Sequence, residues 1–138
     1  MPSAAAAVVV DARYLCEMTG DCLGEWISDG TVLIADPTLD VRPLDLVAIT
    51  IRDGDGPWPR YLRDVGSALG FSKVFLRWVG EGDGRCALVG QVYPPAVCLV
   101  PEADIEAMHR VVGSVGGELQ MTARDTEALR LIAPFATA

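Results

Sequence analysis

The chain has 138 residues, half of them hydrophobic and 22% charged, which fits one domain with its own core and excludes global disorder. Its formal charge is −8, from 19 acidic and 11 basic residues. The basic residues never cluster, so the surface repels phosphate backbones and no direct nucleic-acid binding is expected; a basic partner is easier to accommodate.

Residues 4–10 (Ala-Ala-Ala-Ala-Val-Val-Val) form the sole candidate targeting segment. No Lys or Arg precedes them, and they fall far short of the ~20 apolar residues that span a bilayer. They read as a tail entering a first strand, Val8 to Leu15, in a cytoplasmic protein without membrane contact. The four cysteines, Cys16, Cys22, Cys86 and Cys98, lack the short pair spacing of zinc sites, and the single His109 cannot complete one. Neither metal nor cofactor is expected, and the thiols read as reduced and mostly buried.

Gly20 to Gly30 is turn-rich, with one helical turn expected over Leu23 to Ile27. The β-branched run Thr31 to Ala35 is a strand, broken by Asp36-Pro37-Thr38 because proline cannot donate to a ladder. A further strand from Leu46 to Arg52 is expected to pair with it. Pro59 to Gly70 spaces Leu62, Val65 and Leu69 as a short helix would, although Gly66 weakens it by about 1 kcal/mol relative to Ala. Ser72 to Val79 is a strand, Gly80-Glu81-Gly82-Asp83-Gly84 a hairpin connection, and Arg85 to Val92 its return. Tyr93-Pro94-Pro95 forces a corner; strands Ala96 to Val100 and Met108 to Val115 follow. Thr122-Ala123-Arg124-Asp125 has the form of a capping box, predicting a C-terminal helix of about two to three turns packed on the sheet or on a second subunit. The whole is an all-β, curled antiparallel fold with a short C-terminal helix, divided as tail and first strand (1–17), β domain (18–115) and helical extension (116–138).

The stretch Gly20-Asp21-Cys22-Leu23-Gly24-Glu25-Trp26-Ile27-Ser28-Asp29-Gly30-Thr31-Val32-Leu33-Ile34 resembles the nucleophile segment of LexA-type, signal-peptidase-like peptidases, written Gly-Asp-Ser-Met-x-Pro, a turn, Asp-Gly-Asp and a strand. Leu44-Asp45-Leu46-Val47-Ala48 resembles the family's Gly-Asp-Leu-Val-Ala, Gln91 to Pro95 its Asn-Pro-x-Tyr corner, and Arg110-Val111-Val112-Gly113 its closing Gly-x-Val-x-Gly strand. The resemblance covers roughly residues 18 to 115, most of a domain of ordinary size. Departures are Cys22 for Ser, Leu23 for Met, Glu25 for Pro, Thr31 for the second Asp and Leu44 for Gly.

The resemblance implies a coiled β-fold, homodimerisation and a nucleophile activated by a lysine on a later strand. In such a dyad, burial strips the ammonium of solvation until the amine can accept a proton. Lys73 is the sole lysine, the other ten basic residues being arginine. Phe71-Ser72-Lys73-Val74-Phe75-Leu76 aligns with the family's Val-Lys-Arg-Leu and makes Lys73 the base for Cys22. A competing alignment of Phe75-Leu76-Arg77-Trp78 puts Leu76 there instead, and residues 73 and 76 point to opposite faces of a regular strand.

Gly20, Asp21, Leu23, Asp29, Gly30 and Asp45 are candidate cleft or motif residues, Asp29 and Asp45 also being explicable as turn formers that bond nearby backbone N–H groups. His109 reads as a packing residue. The favoured expectation is a non-catalytic, dimeric regulatory module of phage-related type that binds a peptide or protein; the alternative is a peptidase with a Cys22–Lys73 dyad.

Overall fold

The computed structural model describes residues 12–18, 20–52 and 70–137. The start of the expected first strand and the expected helix between Pro59 and Gly70 lie outside the described residues. Seven strands appear among the described residues: β1 (Tyr14–Glu17), β2 (Val32–Asp36), β3 (Leu46–Ile51), β4 (Gly70–Val79), β5 (Cys86–Val92), β6 (Pro95–Pro101) and β7 (Ile105–Ser114). An α-helix, α1 (Ala123–Ile132), follows β7. The strands form a single antiparallel sheet in the order β1-β2-β7-β3-β4-β5-β6, so the fold is all-β with a short C-terminal helix, and among the described residues β1 and β6 are its edges.

The expected pairing of β2 with β3 is not observed. β7 lies between them, with Ala35 opposite Val111 and Ala48 opposite His109. Alternating apolar residues fix which face of a strand is buried and leave its neighbour unspecified, and the connection through residues 37–45 is long enough to carry the chain across β7. The helical turn expected over Leu23 to Ile27 is also absent. Gly24 adopts φ +67°, which ends any right-handed turn, and Leu23 and Ile27 instead close an isolated antiparallel bridge.

Each face of the sheet carries an apolar cluster. On the first, Leu46, Ala48, Val74, Leu76, Leu88 and Val92 pack with Met18, Leu23 and Ile27 of the turn segment and with Ile132 of α1. On the second, Val47, Ile49, Ile51, Phe75, Val89 and Val100 are all at most 3% exposed. At roughly 25 cal/mol per Å² of apolar area removed from water, these two clusters dominate the folding free energy.

The capping box is complete: Asp125 N–H donates to Thr122 Oγ1 at 3.1 Å, and Thr122 N–H donates to Asp125 Oδ2 at 3.1 Å. The helix closes on the sheet beside Gly90, where a Cβ would stand 2.5 Å from Ile132 Cδ1, so any larger residue there would require the Ile132 side chain to shift. Arg77 Nε donates to the Phe135 carbonyl at 3.0 Å and pins the chain beyond α1. Among the described residues no helix is long and apolar enough to cross a membrane.

Candidate functional site

The turn carrying Cys22 is held by backbone and carboxylate hydrogen bonds. Gly20 N–H donates to Asp29 Oδ1 at 2.8 Å, Gly24 N–H to the Asp21 carbonyl at 2.9 Å, and Gly30 N–H to the Met18 carbonyl at 2.9 Å. Gly20 and Gly30 adopt φ of +87° and +88°, a region that L-residues with a Cβ rarely enter. Leu23 is fully buried and anchors the turn, while Asp21 and Asp29 are exposed. Thus Gly20, Asp21, Leu23, Asp29 and Gly30 gather around Cys22, with Asp29 as the turn former.

Asp45 serves a different place, the start of β3. Its Oδ2 accepts Arg42 N–H at 2.8 Å and lies 3.7 Å from Arg110 Nε. Beside it Leu44 holds φ +73°, the sole non-glycine residue with positive φ among the described residues, and its N–H donates to the Phe75 carbonyl at 2.7 Å.

The Cys22 carbonyl accepts N–H groups from Val92 at 2.8 Å and Tyr93 at 3.1 Å, docking the turn on the end of β5. Its half-buried side chain packs against the first apolar cluster, the one containing Val74 and Leu76. Lys73 is fully buried and leaves β4 on the other face, in register with Val47 of the second cluster. Its Nζ donates to Gln91 Oε1 at 2.7 Å, and Gln91 Nε2 donates in turn to the Pro94 carbonyl at 3.3 Å. Although β4 carries a bulge between Phe75 and Arg77, Lys73 and Leu76 remain on opposite faces.

The thiol that reports on both groups is Cys98 of β6, in register with Val89. Burial pushes its pKa up, the Lys73 ammonium pulls it down, and Cys22 pushes it up. Lys73, Cys98 and Cys22 therefore share one electrostatic neighbourhood, although no hydrogen bond joins Lys73 to Cys22 among the described residues. His109 is engaged elsewhere, its Nδ1 2.6 Å from Tyr14 Oη.

No family model, curated protein or solved structure matches this chain. The site stands on its own geometry. All four cysteines are free thiols, and no group of three or more His, Cys, Asp or Glu side chains is placed to hold a metal ion among the described residues.

Two contributors escaped the sequence reading. Gln91 faces Lys73 across the β4–β5 hairpin, so counting outward from the 80–84 turn would have found it. Asp125 was legible as a helix cap, but its other oxygen, Oδ1, accepts Glu25 N–H at 3.2 Å across a hundred residues of chain, which no local pattern encodes.

Beside the Cys22 turn, the Tyr93–Pro95 corner and α1 enclose a groove of about 640 Å³. Arg124 leans across it, its guanidinium 5.3 Å from the Tyr93 ring centroid.

Proposed function

We propose that this domain is a LexA-peptidase-like module that binds a peptide or protein partner, as a dimer, without cutting it. The observation that carries the reading is the commitment of Lys73: its amine is bonded to Gln91 on the face opposite Leu76, while the Cys22 side chain packs on the Leu76 face. A general base must reach the proton it removes, within hydrogen-bond distance or through one water. The peptidase-like ancestry draws support from Leu44, whose φ of +73° is a glycine-type conformation at the position where the family's strand opening has glycine. Edge strands β1 and β6 supply backbone to which an extended segment can add.

A second reading keeps the Cys22–Lys73 dyad, since both groups lie close enough to Cys98 to act on it electrostatically. In it Lys73, having first lost its own proton to solvent, accepts the Cys22 thiol proton as a neutral amine, the sulfur bonds to the scissile carbonyl carbon, the proton passes to the departing nitrogen as the C–N bond breaks, and water hydrolyses the thioester. Mass spectrometry of the full chain incubated alone and with a mixed peptide pool separates the two. Binding without chemistry predicts intact protein and peptides throughout. Time-dependent cleavage that disappears in both Cys22→Ala and Lys73→Met would overturn it. Sedimentation of the same samples tests the dimer, and a monomer at every concentration removes that part of the proposal.

A further inference from the structure

The groove beside the Cys22 turn has three walls tied to one another by hydrogen bonds. The Cys22 carbonyl is fixed to Val92 and Tyr93, and the buried Asp125 carboxylate joins Glu25 N–H to the start of α1. Gly24 is required at this junction, because a Cβ there would collide with Asp125 Oδ1. The groove is thus preorganised, which reduces the ordering cost of binding.

Its floor and sides are apolar, with Tyr93 52% and Leu131 59% exposed alongside Pro94 and Pro95. Its rim is acidic: Asp21, Glu25 and Glu127 are exposed carboxylates, against the guanidinium of Arg124, which already lies toward Tyr93, and that of Arg130, 3.4 Å from Glu127 Oε2 on the open surface of α1. A volume of about 640 Å³ lies within the range of ligand sites, roughly 300–1,000 Å³. Because its apolar lining remains largely open to solvent, it suits a strip of polypeptide better than an enclosed small molecule. The excess negative rim repels acidic segments and attracts basic ones.

We infer that this groove is the docking site for a partner peptide in which an apolar side chain is flanked by Lys or Arg. The apolar side chain lies against Leu131 and the Tyr93–Pro95 corner, and the cation faces Glu25 and Glu127. This inference rests on the binding reading proposed above and assigns it a location and a ligand class.

The test uses three fluorescein-labelled octapeptide pools with the same apolar positions and either Lys/Arg, Glu/Asp or Gln/Ser at the flanks. Polarisation with the full chain should rank them basic, neutral, acidic, and added salt should weaken the basic pool. Leu131→Ser and the double variant Glu25→Gln/Glu127→Gln change exposed positions, so circular dichroism should match the parent while affinity for the basic pool falls about tenfold in each. Amide shifts on titration should centre on Gly24, Glu25, Ala128 and Leu131. Equal binding of all pools overturns the ligand class. Shifts confined to β1 or β6, or undiminished binding by Leu131→Ser, overturn the location while leaving the binding reading intact. Absence of binding by every pool overturns the groove assignment, whereas the cleavage experiment above judges the parent reading separately.

Discussion

A leucine held in the left-handed region carries a steric cost of about 1–2 kcal/mol relative to right-handed backbone. Leu44 bears it at φ +73° with its side chain 46% exposed, so little burial offsets the cost. Leu44→Gly should raise unfolding free energy by about 0.5–1 kcal/mol, the remainder being lost to the greater freedom of glycine in the unfolded chain. Urea denaturation with an unchanged slope checks this, and a destabilised variant would show that the Leu44 side chain contributes more than its exposure implies. Lys73 presents the opposite problem, a fully buried amine with Gln91 as its hydrogen-bond acceptor. Methionine has similar length and no desolvation cost, so Lys73→Met should stabilise by about 1 kcal/mol if the amine does no chemistry. Lys73→Ala should instead lose about 2–4 kcal/mol through the cavity it leaves. A parallel loss in both variants would assign the amine a structural role that its one hydrogen bond does not reveal.

At the level of elements, β1 is tied to the sheet by polar contacts at two places. Arg13 Nε donates to Asp36 Oδ2 at 3.2 Å, and Tyr14 Oη meets His109. Asp36 Oδ1 also accepts the Thr38 hydroxyl at 2.6 Å and Thr38 N–H at 2.9 Å, and these bonds, with Arg13 after them, hold its carboxyl below the ordinary value of 3.8. Below that value the unfolded chain binds the proton more readily than the folded one. The contribution of Asp36 is therefore complete above pH 3.8 and is lost as pH falls through its depressed folded value. Asp36→Asn should flatten the acid limb of the stability profile and leave its slope near neutrality unchanged; an identical acid limb would discount these bonds.

The contrast between β1 and α1 shows what a sequence can carry. Strand positions followed from β-branched and apolar runs between Gly, Pro and Asp, and the start of α1 followed from Thr122 and Asp125, because both signals are local. The order of strands depends on which backbone edges meet, so the insertion of β7 between β2 and β3 left no trace in either strand's pattern. Around Cys22 the turn residues were legible from their glycines and carboxylates. The face on which Lys73 lies required the hairpin register, and the contribution of Asp125 required the tertiary fold.

For the molecule as a whole, the strand order sets a gradient of protection. β7, β3 and β4 are paired on both sides, and every residue of β3 except Thr50 is buried, so its amides should exchange only by global unfolding. Among the described residues β1 and β6 are paired on one side, and β6 exposes Leu99 at 43%, so their amides should exchange by local fraying in the monomer. With a formal charge of −8 the copies repel one another, which opposes association at low ionic strength and makes any dimer salt-dependent. If dimerisation proceeds by strand addition, one edge should be strongly protected at high protein concentration and moderate salt, and should lose that protection on dilution while β3 does not change. Hydrogen exchange read residue by residue over a dilution series decides the matter. Edge amides that exchange at the same rate throughout would show that neither β1 nor β6 joins two copies, and a dimer would then have to use another surface.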